Sequence, residues 1–142
     1  MPTKTARILL ERDGGETGLL FRAETDNGFS FVIDSGEGAV AAGPVDLLIA
    51  SLGACGAMDV IGILKKKRQQ VTAYAVDLVG ERREEHPRAF TKIEIVHRLT
   101  GRNLSPAAIE EAIRLSDTKY CSVQASLMPQ VEITSRYEIT AV

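Results

Sequence analysis

The chain contains 142 residues, of which 44% are hydrophobic and 25% are charged, a composition ordinary for a soluble globular protein. A chain of this length has room for one hydrophobic core of useful size, so we predict a single domain over residues 1–142. The net charge of −2 and the scattered charges provide no basic face, so nucleic acid is not an expected partner.

The sequence carries no clear targeting or membrane segment. Residues 1–7 lack the apolar stretch and the cleavage site of a secretory signal. The longest apolar stretch, from Val45 to Leu64, contains Asp46 and Asp59, so we expect no membrane span and no membrane partner. A cytoplasmic location is the expectation that follows. In that reducing compartment the two cysteines are expected to be thiols rather than a permanent structural disulfide.

The first part of the chain predicts three strands and two tight turns. Residues 6–11, 18–24 and 29–33 are the predicted strands. Asp13-Gly14-Gly15 and Asp26-Asn27-Gly28 are the predicted turns, and Asn-Gly readily adopts the positive φ angles that a tight turn needs. Together these elements predict a three-stranded antiparallel meander.

A long helix is predicted next, from about Val45 to Lys67, with Pro44 in its first turn. It would be roughly 34 Å long. Its apolar residues lie nearly all round the axis, so we expect burial on most sides by the sheet and by a second subunit. Gly53 and Gly56 weaken the helix, and we expect close approach of another group or room for a ligand to compensate.

The second half alternates strands and helices. Its predicted elements are a strand over 71–79, a strand over 92–99, a helix over 105–116, a helical turn over 122–128 and a strand over 131–139. The predicted inward faces of the last two strands are Ile93, Ile95, His97 and Leu99, and Val131, Ile133, Tyr137 and Ile139. This order predicts an α+β fold with a largely antiparallel sheet, a long central helix and a second helix.

Two cysteines are candidates for chemistry. Cys55 lies mid-helix among small side chains and is either a small buried hydrophobe or a reactive thiol. Cys121 precedes the helical turn, where Lys119 and the helix start would lower the pKa of its thiol, unless it is an inert loop cysteine. We expect no zinc site of both cysteines with His86 and His97, because no close ligand pair is present. His97 is predicted at the core edge and His86 in a solvated loop.

Three segments resemble the OsmC/Ohr family, in order and over nearly the whole chain. Residues 43–55 (GPVDLLIASLGAC) resemble the segment that carries the peroxidatic cysteine on a long central helix. Residues 80–87 and 90–93 resemble a stretch typical of the OsmC-like branch, and residues 119–123 (KYCSV) resemble the site of the second cysteine. The resemblance implies an OsmC-like fold, an intertwined homodimer and no cofactor.

The activity that this resemblance implies is that of a thiol-dependent peroxidase in oxidative-stress defence. The thiolate of Cys55 would attack an organic hydroperoxide and become a sulfenic acid. Cys121 would condense with it to a disulfide, which a dithiol such as a lipoyl protein would reduce. An apolar pocket built across the dimer would select alkyl hydroperoxides over hydrogen peroxide.

The sequence departs from the family pattern in two places. Family members often hold an activating arginine with a glutamate at the start of the long helix, where this chain has Val45 and then Asp46. We predict Arg22 as the activating group and Asp46 as its holder. The second cysteine is often followed by proline, and here Ser122 follows it. These departures favour the alternative function, an OsmC-like protein that binds a small ligand or senses redox state without efficient peroxidase turnover.

Overall fold

The computed structural model of the chain describes residues 1–11, 19–35 and 40–142. The predicted turn at Asp13-Gly14-Gly15 and the predicted strand start at Gly18 lie outside these residues. The chain divides into two compact units, residues 1–48 and residues 49–142. The single domain over residues 1–142 therefore stays a prediction, and each unit is described separately.

The first unit contains the predicted meander. Strands β1 (Ala6–Leu10), β2 (Phe21–Thr25) and β3 (Ser30–Ile33) form one antiparallel sheet in the order β1-β2-β3. The turn between β2 and β3 places Gly28 at φ 89°, a conformation that glycine adopts without steric cost. The amide of Thr25 donates to the carbonyl of Phe29 across this turn, at 2.8 Å. The meander and its second turn are confirmed.

The long helix is also confirmed, as α1 (Pro44–Lys66), and within one chain it is buried only in part. Its buried residues are Leu52, Gly53, Val60 and Leu64. Met58 is 72% exposed, so within one chain the helix packs along one face rather than on most sides. By length and composition alone it could cross a membrane, and it is the only such helix in the described ranges, which is weak evidence for a membrane span. The apolar core helix of a soluble protein has the same properties.

The second unit is built on a sheet with the strand order β4-β5-β6. Strands β4 (Gln70–Arg82) and β5 (Phe90–Arg102) are antiparallel, whereas β6 (Glu132–Ala141) runs parallel to β5. Parallel strands need a long crossover connection, and here it is provided by α2 (Pro106–Leu115), a π-helical turn and α3 (Ser122–Leu127). The α+β class is confirmed, with antiparallel pairing in all but this last pair of the described strands.

Two hydrophobic clusters form the core of the second unit. The first contains Val60, Leu64, Leu99, Ile109, Ala112 and Ile113, and joins α1 and α2 to β5. The second contains Leu52, Ile93, Ile95, Cys121 and Val131, and Cys55 packs against it. Ile139 was expected to face inward but is 37% exposed, because it lies near the end of β6 beyond the residues that pack on either cluster.

Candidate functional site

The two cysteines lie close together in the second unit. The Sγ atoms of Cys55 and Cys121 and one carboxylate oxygen of Asp59 all lie within 4.8 Å of one another. Cys55 is partly exposed, whereas Cys121 is 4% exposed. Both cysteines are free thiols in the structure. The arrangement therefore pairs a more accessible thiol on α1 with a buried thiol beside it.

The local backbone holds Cys121 in place. The π-helical turn Ser116–Tyr120 ends at Cys121, whose amide donates to the carbonyl of Ser116 at 3.0 Å. Cys121 is also the N-cap of α3, and its Sγ accepts a hydrogen bond from the amide of Gln124 at 3.4 Å. A cysteine is an unusual N-cap, because Ser, Thr, Asp and Asn are the preferred residues. The sulfur is thus fixed by the same backbone that starts α3.

The prediction that the pKa of Cys121 is lowered is wrong. The pKa of the Cys121 thiol is raised to about 11, chiefly by burial, with smaller contributions from the neighbouring Cys55 and the charge of Asp59. The hydrogen bond from the Gln124 amide lowers the pKa but does not outweigh the burial. The ammonium group of Lys119, which was expected to favour the thiolate, lies over the ring of Tyr120, 5.2 Å from its centroid.

Asp59 is the residue of this cluster that sequence reasoning missed. It follows Cys55 by four residues on α1, so the two side chains share one face of the helix. Its Oδ2 accepts a hydrogen bond from the Oγ of Ser116 at 3.0 Å. The i, i+4 spacing of Cys55 and Asp59 is the sequence signal for this cluster, whereas the sequence prediction uses Asp59 only as a charge within an apolar stretch.

Two shallow hollows lie against α1 near the cluster. One, of about 230 Å³, is lined by Met58, Asp59, Gly62, Ile63, Lys66 and Tyr120. The other, of about 410 Å³, lies between the alanines of α1 and the inward residues of β4. A Cβ atom on Gly53 would approach the Cδ1 of Leu78 to 2.5 Å. The close packing of the Leu78 side chain therefore compensates for the low helix propensity of glycine at this position. Asp59 is the member of the cluster that lines the smaller hollow.

The predicted activating pair is not brought together within the first unit. The guanidinium of Arg22 pairs with Glu11, at 2.9 Å, and lies 3.9 Å from Glu24. The Oδ2 of Asp46 instead accepts a hydrogen bond from the amide of Gly43 at 3.0 Å, at the start of α1. Glu11 reaches Arg22 because it lies diagonally across the β1–β2 pair. Within this unit Glu11 is the ion-pair partner of Arg22, and both Asp46 as the holder of Arg22 and the action of Arg22 on Cys55 stay predictions.

The histidines do not join the cysteines. His97 is 2% exposed, its Nδ1 lies 2.7 Å from the hydroxyl of Tyr74, and burial lowers its pKa to about 4. His86 is exposed in the loop between β4 and β5. Across residues 1–11, 19–35 and 40–142, the group with metal-ligand spacing consists of Cys55, Asp59 and Cys121. It was not expected from the sequence, because its third donor is an aspartate.

The chain is similar in sequence and in structure to known proteins. Residues 36–136 match the family model described as OsmC-like protein. The chain is 43% identical to Protein YhfA of Escherichia coli (strain K12) over 124 residues, which covers 87% of this chain and 92% of that protein. The structure resembles a hypothetical protein from Aquifex aeolicus VF5, with a TM-score of 0.84, 32% identity and coverage of 100% and 99% of the two chains.

A more distant solved structure shares the fold. It is an organic hydroperoxide resistance protein OsmC from Legionella pneumophila, with a TM-score of 0.67 and 16% identity. The match covers 97% of this chain and 98% of that chain. The fold expected from the sequence resemblance is therefore present over almost the full length.

Proposed function

The chain belongs to the OsmC-like protein family, and from that premise we propose that it is a thiol-dependent peroxidase that reduces organic hydroperoxides. Membership of this family supports a role in redox stress. The observation that carries the finer proposal is the placement of Cys121 within 4.8 Å of Cys55, with only Cys55 partly exposed. This is the arrangement that a peroxidatic and a resolving cysteine require.

The first step uses Cys55. Its thiolate attacks the terminal oxygen of a hydroperoxide ROOH, so that an S–O bond forms and the O–O bond breaks. The leaving alkoxide takes a proton and departs as the alcohol ROH. Cys55 is then a sulfenic acid, oxidised by two electrons. The partial exposure of Cys55 and the hollow that borders Asp59 support access for a small substrate.

The second step uses Cys121. Its sulfur attacks the sulfur of the Cys55 sulfenic acid, the S–O bond breaks, and the hydroxide leaves as water with the proton of the Cys121 thiol. The product is a Cys55–Cys121 disulfide. An S–S bond is about 2.05 Å long, so the two sulfurs must close from their present separation. A dithiol, of which a lipoyl protein is the proposed example, restores both thiols.

The proposed assembly is a homodimer in the cytoplasm. Large apolar side chains on α1 are left uncovered in one chain, with Leu48 39% and Met58 72% exposed. Exposed apolar area of this kind supports a second subunit on the helix. No further cofactor is needed for the proposed cycle, because the oxidant is the substrate and the reductant is the dithiol.

One observation favours the second candidate function, ligand binding or redox sensing without efficient turnover. The carboxylate of Asp59 lies beside both thiols, and its negative charge contributes to the raised pKa of the Cys121 thiol. The raised pKa of Cys121 in particular favours slow disulfide formation. A redox sensor can function with slow disulfide formation, whereas a peroxidase has to form and reduce the disulfide repeatedly.

Turnover separates the two candidates. Reduced protein is supplied with cumene hydroperoxide and a lipoyl dithiol, and the alcohol product is measured over many equivalents per chain. The proposal expects multiple turnovers in wild type and none in Cys55→Ser. A single equivalent of product followed by arrest, with added dithiol present, would instead identify a sensor.

A further inference from the structure

The cluster of Cys55, Asp59 and Cys121 contains three possible metal-ligand atoms, and the peroxidase cycle uses only two of them. Two thiol sulfurs and one carboxylate oxygen lie within 4.8 Å of one another. The peroxidase cycle needs the two sulfurs and assigns nothing to the carboxylate. Thiolate and carboxylate together are ligands that proteins use for zinc and similar transition-metal ions.

The spacing of the donors fits one small ion. In a tetrahedral site with Zn–S distances of about 2.3 Å, neighbouring ligand atoms lie roughly 3.5 to 3.8 Å apart. The three donor atoms are within 4.8 Å of one another in the structure, so closure by at most about 1 Å brings them to that spacing. The shorter distance of a disulfide bond requires a larger movement of both sulfurs.

The charge of the cluster also favours a cation. Asp59 accepts a hydrogen bond from the buried Ser116 hydroxyl, and it takes part in none of the ion pairs found among the residues that the structure describes. Lys66 lines the same hollow without pairing with it. A divalent ion compensates the negative charges that one carboxylate and two bound thiolates bring together.

We propose that Cys55, Asp59 and Cys121 form a binding site for one divalent transition-metal ion, with zinc the best match to the donors. The ion binds to both sulfurs as thiolates and to one oxygen of Asp59. Binding releases the two thiol protons to solvent, and no redox change is involved. Three protein ligands leave a fourth position, which the hollow beside Asp59 makes accessible to water or a small thiol.

The proposed site also assigns a role to Ser116 and changes the reactivity of the two cysteines. Ser116 holds the carboxylate through its hydroxyl, so it orients a ligand rather than binding the ion. The sulfurs of Cys55 and Cys121 are weaker nucleophiles while they bind the ion than as free thiolates. The bound form should therefore react more slowly with hydroperoxides, and metal release restores the reactivity of the thiols.

The test uses the full-length, reduced, metal-free protein without any hydroperoxide, so its outcome is independent of the peroxidase proposal. Cobalt is added as a spectroscopic probe, because cobalt–thiolate absorption reports sulfur ligation directly. Zinc is then added to displace it. We expect one cobalt ion per chain, with thiolate absorption, displaced by one equivalent of zinc.

Variants assign the ligands. Cys55→Ser and Cys121→Ser should each lose the thiolate absorption or reduce it strongly. Asp59→Asn should weaken binding by on the order of tenfold or more, and Ser116→Ala by a smaller factor. The matched control is Asp77→Asn, which removes an exposed carboxylate paired with Arg98 and should bind like wild type. Circular dichroism checks that each variant is folded.

A measurement on wild type makes the test independent of the variants. Stoichiometric zinc should protect both cysteines from alkylation in the native protein, and a chelator should restore their reactivity. Two results would overturn the proposal: the absence of thiolate absorption at stoichiometric cobalt in wild type, or wild-type affinity in folded Asp59→Asn.

Discussion

The Sγ atoms of Cys55 and Cys121 lie within 4.8 Å of one another, although one residue is in the middle of α1 and the other starts α3. They meet because both segments pack on the same cluster, which contains Ile93 and Ile95 of β5. Burial of apolar side chains on this part of the sheet brings the two thiols together. The packing of this hydrophobic cluster therefore also positions the two candidate catalytic cysteines.

Substitution by alanine is predicted to change the stability of the protein differently at two glycines of α1. At Gly62 nothing lies within 4 Å of an added Cβ, so Gly62→Ala should stabilise the protein by about 0.5 to 1 kcal/mol through helix propensity. At Gly53 the new Cβ would meet Leu78, and Gly53→Ala should be less stable than Gly62→Ala by about 1 kcal/mol or more. Urea unfolding at one fixed protein concentration measures both. Equal stability of the two variants would contradict the packing described for Gly53.

The buried histidine predicts a dependence of stability on pH. An unfolded histidine has a pKa near 6.5, whereas burial lowers the pKa of His97 to about 4. Between these values the unfolded state binds more protons, so stability is complete above pH 6.5 and is lost as the pH falls toward 4. From pH 7 to pH 5 the loss should be about 2 kcal/mol.

The measurement is the free energy of unfolding in urea at both pH values. His97→Gln should be less stable overall but should lose less on acidification than wild type. The matched control is His86→Gln, which removes an exposed imidazole and should keep the wild-type difference between the two pH values. A His97→Gln protein with the full wild-type acid sensitivity would show that another group is responsible.

Strong local signals made most of the fold predictable from the sequence. Asn27-Gly28 specified a turn, strict alternation specified β5, and Ser105-Pro106 specified the start of α2, whose cap is formed by the Ser105 hydroxyl. The parallel pairing of β6 with β5 was not predictable, because hydrophobic alternation shows which face is buried but not the direction of the neighbouring strand.

The candidate site was only partly predictable. Both cysteines were identified, but the electrostatics around them depend on burial and on residues distant in sequence. The helix start beside Cys121 suggested a lowered pKa, and the desolvation that raises it is a property of the packed core. Glu11 as the partner of Arg22 depends on strand register, which the sequence of either strand alone does not contain.

Activation by Arg22 is the next prediction. Loss of a guanidinium that stabilises the Cys55 thiolate should slow its oxidation by cumene hydroperoxide by on the order of tenfold, so Arg22→Ala should show that defect. Arg22→Lys should restore only part of the rate, because lysine lacks the bidentate geometry. Glu11→Gln should show a weaker defect, and Asp46→Ala a smaller one still. Stopped-flow rates in metal-free buffer test this, and a wild-type rate in Arg22→Ala would exclude the role.

The exposed apolar face of α1 predicts a dimer. Wild type should sediment as a dimer at micromolar concentration, because side chains such as Met58 would otherwise face water. Met58→Asp should weaken the dimer. The control is Val142→Asp, which places the same charge at an exposed residue of the C-terminus and should sediment like wild type. A stable wild-type monomer at that concentration would refute the prediction.

The most direct test of the peroxidase proposal is mass spectrometry of reduced protein treated with one equivalent of cumene hydroperoxide. Peptide mapping under non-reducing conditions should find a Cys55–Cys121 disulfide within one chain, and one equivalent of cumyl alcohol should form. In Cys121→Ser a sulfenic acid should be trapped on Cys55, while Cys55→Ser should not react. First oxidation on Cys121, or an unreacted pair of thiols in wild type, would contradict the account.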